Sequence, residues 1–210
     1  MIKVGLTGGY ASGKGAVAAR LEELGCRVIY ADKLGHDVLL PGGAAYSPTV
    51  ERFGRGILRP DGTIDRKKLA GVVFAERDSL DALSAVVHPA VFRLEQQLME
   101  RFAAEDPDSI VVLEAAILIE TGRYREYDRL ILVVCDEATQ IARGMQRDGI
   151  SEEEARLRVA RQWPLETKKS YADYVVDTNG TRENTARQVE KVVEDLQQVA
   201  RRAAELGARG

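Results

Sequence analysis

The sequence predicts an α/β fold built on a parallel sheet. Five short runs rich in Val, Ile and Leu show little alternation of apolar and polar positions, as strands do when both faces of a sheet are buried. Helical patterns lie between the runs, and a glycine-rich loop follows the first of them. The order strand, glycine loop, helix, strand is typical of a βαβ unit. The predicted strands are Ile2–Leu6, Cys26–Tyr30, Ile110–Glu114, Leu130–Cys135 and Tyr174–Asp177.

Three further segments complete the predicted organisation. Residues 33–108 are too long for a simple crossover and contain helical stretches such as Arg66–Glu76 and Pro89–Phe102, so we expect a mostly helical insertion. Residues 137–168 form a second excursion that is rich in arginine. Residues 181–206 show the apolar spacing of one long C-terminal helix.

Length and composition limit the class of protein. With 210 residues, 45% of them hydrophobic, the chain can fold as a single domain over residues 1–210. The net charge of −3 argues against a nucleic-acid partner bound through overall basicity. Cys26 and Cys135 lie in apolar runs and are expected to be buried, reduced thiols. No leader pattern and no apolar run of about 20 residues is present, so we expect no membrane association and a cytoplasmic location.

The glycine-rich loop carries the most specific chemical signal. Residues Gly8–Gly15 fit the pattern G-x-x-x-x-G-K-[ST] at every fixed position except the last. Glycines let the backbone turn its N–H groups toward phosphate oxygens, and the lysine adds a positive charge at the outer phosphates. The last position normally supplies a hydroxyl ligand to magnesium, and Gly15 lacks it. Candidate nucleotide-binding residues are Gly9, Tyr10, Ala11, Ser12, Gly13, Lys14, Gly15 and Ala16.

Two other interpretations of this loop stay open at this point. It could be a ligand-free connection between strand and helix. It could also be a dinucleotide site, although no G-x-G-x-x-G occurs there and that site would leave Lys14 without a role.

Two acidic residues follow predicted strands, where ligands bind in open parallel sheets. Asp32 could accept a proton from a substrate hydroxyl or hold magnesium, or it could be the N-cap of a helix that begins at Lys33. Glu114 could contact a metal ion or its water, or it could be a solvated acid at the end of a strand.

Two basic features have competing explanations. Arg143 and Arg147 share one helix face and could close over a nucleotide, or they could balance the charges of Glu152–Glu154 on a solvated helix. Pro89 favours a helix that starts at that residue, which makes His88 an ordinary, partly buried histidine before it.

Together these residues resemble the dephospho-coenzyme A kinase family of P-loop kinases, from Ile2 to about Leu196. The matching segments are Gly5–Gly9 with Ser12-Gly13-Lys14, Ala31-Asp32, Pro41-Gly42, Asp61–Arg66 with Leu69 and Val73-Phe74, His88-Pro89, Ile119-Glu120, Gln140 with Arg143 and Arg147, Gln162, Lys168 with Ala172-Asp173, and Asn179-Gly180.

The resemblance implies transfer of the ATP γ-phosphoryl group to the ribose 3′-hydroxyl of dephospho-coenzyme A, with Mg²⁺. That reaction is the last step of coenzyme A synthesis. The implied fold is a P-loop NTPase-type three-layer sandwich, in which a five-stranded parallel sheet is flanked by helices. The helical insertion would bind the acceptor, and residues 137–168 would form an arginine-rich lid over ATP.

The resemblance also implies roles for individual residues. Lys14, Asp32 and Arg143 would be catalytic, with Asp32 as the base or the group that orients the 3′-hydroxyl. Arg143 and Arg147 would lie over the ATP phosphates. The other implied contacts are Arg66, His88 and Arg93 with the acceptor, and Asn179 and Gly180 beside adenine.

The chain departs from the family pattern around the magnesium ion. Gly15-Ala16 replaces the usual Ser-Thr, Tyr30 replaces the first acid of an Asp-x-Asp element, and Glu114 and Ala116 replace an Asp and a Pro. The expected metal ligands are Glu114 and Asp32. Two alternative functions stay open: a degenerate relative that binds nucleotide or coenzyme A without turnover, and a kinase for another nucleoside or nucleotide. The expected assembly is a monomer or a small homo-oligomer.

Overall fold

Five strands form one parallel sheet in the computed structural model, which describes residues 1–75 and 77–207. The strands are β1 (Ile2–Gly8), β2 (Arg27–Tyr30), β3 (Ile110–Glu114), β4 (Arg129–Val134) and β5 (Tyr174–Asp177), in the spatial order β2-β3-β1-β4-β5. The predicted parallel sheet is confirmed, and the strand ends differ from the predicted ones by no more than two residues.

The central strand explains why the apolar runs are continuous. β1 pairs in parallel with β3 on one side and with β4 on the other, so Leu6 lies opposite Glu114 and Ile131. Val4, Leu6 and Ile131 are completely buried, as the absence of alternation predicts for a sheet covered on both faces.

Helices lie between the strands along the chain and after the last of them. They are α1 (Lys14–Glu23), α2 (Ala31–Asp37), α3 (Tyr46–Phe53), α4 (Arg66–Ala75), α5 (Arg77–Glu105), α6 (Glu137–Asp148), α7 (Glu152–Ala160), α8 (Leu165–Lys169) and α9 (Arg182–Gly207). Short 3₁₀ turns lie at Arg55–Ile57 and Arg123–Glu126. In the part of the chain that the structure describes, no helix is both long and apolar enough to cross a membrane.

The chain forms two compact units. The first combines Met1–Ile29 with the chain from Arg101 onward and contains nearly all of the sheet. The second, Tyr30–Glu100, contains α2, α3, α4 and most of α5. Cys26 and Cys135 are free, buried thiols of the first unit, and burial raises the pKa of Cys26 to about 11.

The second unit has its own apolar core around Ile57, Ile64, Leu69 and Val73. The segment Asp61–Arg66 frames this core through local hydrogen bonds. The Asp61 carboxylate accepts bonds from the Thr63 amide at 2.9 Å and from its hydroxyl at 2.6 Å, which closes a turn. The Asp65 carboxylate accepts the Lys67 and Lys68 amides and caps α4.

The predicted helix start at Pro89 is wrong. Pro89 lies inside α5, which begins at Arg77, and His88 is exposed rather than partly buried. The buried residues Ala90 and Met99 hold this helix, so packing outweighs the local cost of proline. The other predicted helix of this segment appears as α4, and its expected last residue, Glu76, lies outside the described residues.

Candidate active site

The loop between β1 and α1 turns through two left-handed residues. Ala11 has φ +51° and Gly13 has φ +91°, and the Ser12 amide donates to the Gly9 carbonyl oxygen at 3.2 Å. Positive φ is unfavourable for alanine, which has a Cβ, so the surrounding contacts must hold Ala11 in this conformation.

The loop leads into a helix whose N-terminus lacks a side-chain cap. α1 begins at Lys14, and no side chain caps it at Gly13. The first amide groups of a helix have no intrahelical acceptor, and the helix dipole places partial positive charge there. The Lys14 ammonium lies 3.1 Å from the Gly9 carbonyl oxygen, over the same loop. The start of the helix, its dipole and the ammonium together make an anion site suited to phosphates.

Tyr10 connects the loop to the predicted lid. Its hydroxyl donates to Asp148 at 2.5 Å, and the guanidinium groups of Arg147 and Arg158 lie 5.2 and 5.7 Å from its ring centroid. Arg147 bonds to the Asp148 carboxylate at 2.7 Å, and this bond, followed by that from Tyr10, holds the pKa of Asp148 far below its usual range. Burial, and then the bond to Asp148, raise the pKa of Tyr10. An added Cβ on Gly144 would lie 2.4 Å from the Tyr10 ring, so this contact requires a glycine in α6.

Arg143 lies beside the start of α1. Its guanidinium donates to the Thr178 hydroxyl at 2.9 Å and to the Thr178 carbonyl oxygen at 2.7 Å. The Thr178 hydroxyl lies 2.7 Å from the carbonyl oxygen of Ser12, to which it donates. Thr178 follows β5, so Arg143 is fixed between the end of the sheet and the phosphate loop. The alternative of a solvated arginine describes Arg156 instead, which pairs with Glu137 and Glu152.

The residues after β5 are tied to the start of α6. The Asn179 side-chain oxygen accepts the Asp136 amide at 2.9 Å, and the Asp136 carboxylate accepts the Thr139 amide at 2.7 Å as the cap of α6. Gly180 follows Asn179 in the turn before α9.

The residues predicted to bind or activate the phosphoryl acceptor all belong to the second unit. Asp32 is the second residue of α2, which directly follows β2, and the N-cap of that helix is Tyr30. The alternative of Asp32 as the helix cap is therefore wrong. Arg66 is the first residue of α4, and His88 and Arg93 lie on α5. All four side chains are exposed, and the His88 ring stacks on Phe92 with centroids 6.1 Å apart.

Oxygen atoms suited to Mg²⁺ are few around the phosphate loop. Glu114 ends β3 opposite Leu6, next to Thr7, whose hydroxyl donates to the Ala116 carbonyl oxygen at 3.1 Å. The Ser12 hydroxyl is buried without a hydrogen-bond partner among the described residues. The same residues include no cluster of three or more His, Cys, Asp or Glu side chains placed to hold a metal. This donor set fits an ion that takes most of its ligands from phosphates and water, as Mg²⁺ does.

Comparison with known proteins identifies the family. The model of the family described as CoaE, dephospho-CoA kinase, matches residues 2–184. The chain belongs to the dephospho-CoA kinase family. It is 44% identical over 189 residues to a dephospho-CoA kinase of Geobacter metallireducens, covering 90% of this chain and 94% of that one. It is 43% identical over 191 residues to the corresponding protein of Shouchella clausii, covering 90% and 95%.

A solved relative confirms the fold. The crystal structure of TT1252 from Thermus thermophilus is similar with a TM-score of 0.77 and 33% sequence identity, and the match covers 93% of this chain and 97% of that one. The P-loop kinase fold predicted for this dephospho-CoA kinase family member, a five-stranded parallel sheet flanked by helices, is therefore confirmed.

Several residues at the phosphate loop had no role in the sequence prediction. Gln140 and Gln162 matched the family pattern, but only the structure shows that both bond to the backbone of Tyr10. Thr178, the anchor of Arg143, carries one weak signal in the sequence, which is a hydroxyl directly after a buried strand.

Proposed function

We propose that this chain transfers the γ-phosphoryl group of ATP to the ribose 3′-hydroxyl of dephospho-coenzyme A, the last step of coenzyme A synthesis. Membership of the dephospho-CoA kinase family supports this function. The observation that carries it is the phosphate loop, where the uncapped start of α1 and the Lys14 ammonium meet.

The first unit supplies the ATP site in this proposal. The loop Gly9–Ala16 holds the phosphates through part of its backbone amides, since those of Tyr10 and Ser12 bond within the protein. The Lys14 charge stabilises the outer phosphates. Arg143 offsets negative charge on the transferred phosphoryl group from its position on Thr178. Arg147 assists it, and Asn179 and Gly180 lie beside the adenine.

The second unit supplies the acceptor site. The 3′-hydroxyl oxygen forms a bond to the γ-phosphorus while the bond from that phosphorus to the bridging oxygen of ADP breaks. Asp32 orients the hydroxyl and takes its proton, for which its exposed carboxylate, not used as a helix cap, is free. Arg66, His88 and Arg93 present exposed basic side chains that suit the anionic acceptor.

Mg²⁺ completes the proposed site. Glu114 and Asp32 would hold it with the ATP phosphates and water, and the hydroxyls of Thr7 and Ser12 are further oxygens of the phosphate loop and its strand. Bound there, the ion would spread the negative charge of the phosphates during transfer.

A second candidate function is nucleotide binding without turnover. The departures at Gly15, Tyr30 and Glu114 favour it, because all three fall among the residues that would surround the metal.

We also propose a cytoplasmic location, which the free, buried thiols of Cys26 and Cys135 support. The expected monomer or small homo-oligomer can be checked by light scattering.

One assay separates these functions. Purified protein is incubated with ATP over a range of Mg²⁺ concentrations, with dephospho-coenzyme A, with a panel of nucleosides and nucleotides, or with no acceptor. We expect coenzyme A and ADP to form in equal amounts only with dephospho-coenzyme A. Tight ATP binding without product would indicate the binding protein, and product with another acceptor would indicate a different kinase.

A further inference from the structure

Two glutamine side chains hold the backbone of one residue, Tyr10, at the tip of the phosphate loop. The Tyr10 amide donates to Gln162 Oε1 at 2.6 Å, and Gln140 Nε2 donates to the Tyr10 carbonyl oxygen at 2.8 Å. Both backbone groups of Tyr10 are therefore occupied by side chains that lie 130 and 152 residues away in the sequence.

The orientation of each amide follows from this chemistry. A backbone N–H requires an acceptor, so Gln162 must present oxygen, and a carbonyl requires a donor, so Gln140 must present nitrogen. Gln140 is 4% exposed, and a Cβ added at Gly9 would lie 2.1 Å from its Nε2. Glycine at position 9 thus leaves the space through which Gln140 reaches the loop.

The held residue, Tyr10, precedes the strained part of the loop. Ala11, with φ +51°, directly follows Tyr10, and such a conformation persists only where neighbouring contacts impose it. The amides that would face phosphate belong to the residues after Tyr10, up to the start of α1, apart from that of Ser12, which donates to Gly9. Since the backbone of Tyr10 leads directly into these residues, fixing its amide and carbonyl groups restricts the directions that the following amides can take.

The segments that carry both glutamines are held in place by other contacts. Gln140 belongs to the first turn of α6, which Asp136 caps. Gln162 precedes Trp163, whose amide donates to Glu120 at 3.4 Å, and Glu120 pairs with the fully buried Lys168 of α8. The two side chains can thus hold the loop before any nucleotide binds.

We infer that Gln140 and Gln162 are positioning residues that fix the two peptide groups on either side of the Tyr10 Cα and so hold the phosphate loop in its ATP-binding conformation. The inference rests on the proposed function to the extent that the loop binds ATP. It assigns the two residues opposite hydrogen-bonding roles, donor for Gln140 and acceptor for Gln162. The same isosteric substitution must therefore act differently at the two positions.

The test compares Gln140→Glu with Gln162→Glu. Both add one negative charge beside the backbone of the same residue, Tyr10, but glutamate keeps the acceptor needed at 162 and loses the donor needed at 140. We expect Gln140→Glu to weaken binding of a non-hydrolysable ATP analogue, measured by calorimetry, about tenfold more than Gln162→Glu does. The KM for ATP should follow the same order, with the KM for dephospho-coenzyme A changed less than about twofold.

Two further variants keep the test decisive. Gln146→Glu adds the same charge on an exposed position of α6 and should leave ATP binding unchanged. If Gln140→Glu does not fold, Gln140→Met removes the donor without adding charge and should weaken binding about tenfold. Equal effects of the two glutamates, or wild-type binding by Gln140→Met, would overturn the inference.

The outcome also separates this inference from the proposed function. Analogue binding without coenzyme A formation by the unmodified protein would refute the kinase activity and leave the comparison of the two glutamates intact. Failure of the unmodified protein to bind the analogue would refute both.

Discussion

The ammonium nitrogen of Lys168 lies 2.6 Å from Oε1 of Glu120, and its side chain is completely buried. Glu120 is 15% exposed and lies in the turn after β3, so the pair ties α8 to the sheet. Among the described residues, Lys168 Nζ and Glu120 Oε2 have no directed hydrogen bond, so the charges themselves carry most of the contact. A buried charge that loses its partner is costly, which makes this pair sensitive to any single substitution.

Breaking this ion pair should destabilise the protein. We expect Glu120→Gln to lower the free energy of unfolding by about 3 kcal/mol, because it leaves the Lys168 ammonium buried without a counter-charge. Lys168→Met should cost less, since Glu120 retains some contact with solvent, and the double variant should recover much of the loss. Urea unfolding measures the stability of all three variants.

The exposed pair Lys169–Glu166 is the control, because Lys169→Met should change stability by less than about 1 kcal/mol. Strictly additive effects at positions 120 and 168 would contradict the interpretation.

Arginine at position 143 should be needed for its shape as well as its charge. Arg143→Lys keeps the charge but lacks the planar fork whose two nitrogens each bond to one oxygen of Thr178, so kcat/KM for ATP should fall about tenfold to hundredfold. Steady-state kinetics with ATP as the varied substrate measures this change. Arg156→Lys is the matched control, since that arginine forms only exposed ion pairs and its replacement should leave kcat/KM unchanged. Equal kinetics of the two variants would remove Arg143 from the site.

Asp32 should affect turnover and not ATP binding. Asp32→Asn removes the proton acceptor with little change in shape, and kcat should fall by about 10² to 10⁴. Calorimetry with an ATP analogue should give nearly the same dissociation constant as the unmodified protein. Asp37→Asn, at the other end of α2, is the control and should keep full turnover. Unchanged kcat in Asp32→Asn would exclude the carboxylate as the base.

The sequence predicted the sheet more reliably than the ends of the helices. Continuous runs of Val, Ile and Leu are typical of buried strands, and each of the strands β1 to β5 lies at such a run. Pro89 misled the prediction because proline has a strong local preference for a helix start, and the alternative of a helix cap at Asp32 is wrong although aspartate favours that position. In the fold, burial of Ala90 and Met99 carries α5 through the proline, and α2 begins one residue before Asp32.

The phosphate loop was predictable because its motif lies within one short segment. The contacts that support the loop were not predictable, because they come from distant segments. Glycine spacing and Lys14 identify the loop within eight residues of sequence. The contacts that Gln140 and Gln162 make with Tyr10 arise only when α6 and the segment before α8 fold onto the loop. No pattern in the neighbouring sequence encodes contacts at such separation, so three-dimensional packing alone reveals them.

Asp148 should give the protein a distinct loss of stability in acid. The bonds from Arg147 and Tyr10 hold its pKa below the ordinary value of 3.8, so the folded state favours the charged carboxylate. This stabilisation is fully present above the unfolded pKa and is lost as the pH falls toward the folded pKa. Urea unfolding at about pH 6 and about pH 3 should therefore show a smaller difference for Asp148→Asn than for the unmodified protein. Arg147→Gln should reduce the difference in part, and an unreduced difference in both variants would contradict the assignment.

Gly15 can be given the missing hydroxyl without steric conflict. A Cβ added at this position meets nothing within 4 Å, and Gly15 lies in the first turn of α1 with an ordinary helical backbone. Gly15→Ser should lower the Mg²⁺ concentration for half-maximal activity severalfold, because the hydroxyl adds a ligand for the ion. Gly15→Ala is the matched control, with the same Cβ and no hydroxyl. Both should raise the free energy of unfolding by about 0.5 to 1 kcal/mol through helix propensity, but the alanine should leave the Mg²⁺ dependence unchanged. A serine variant with the Mg²⁺ dependence of the alanine variant would show that the ion binds without a ligand at position 15.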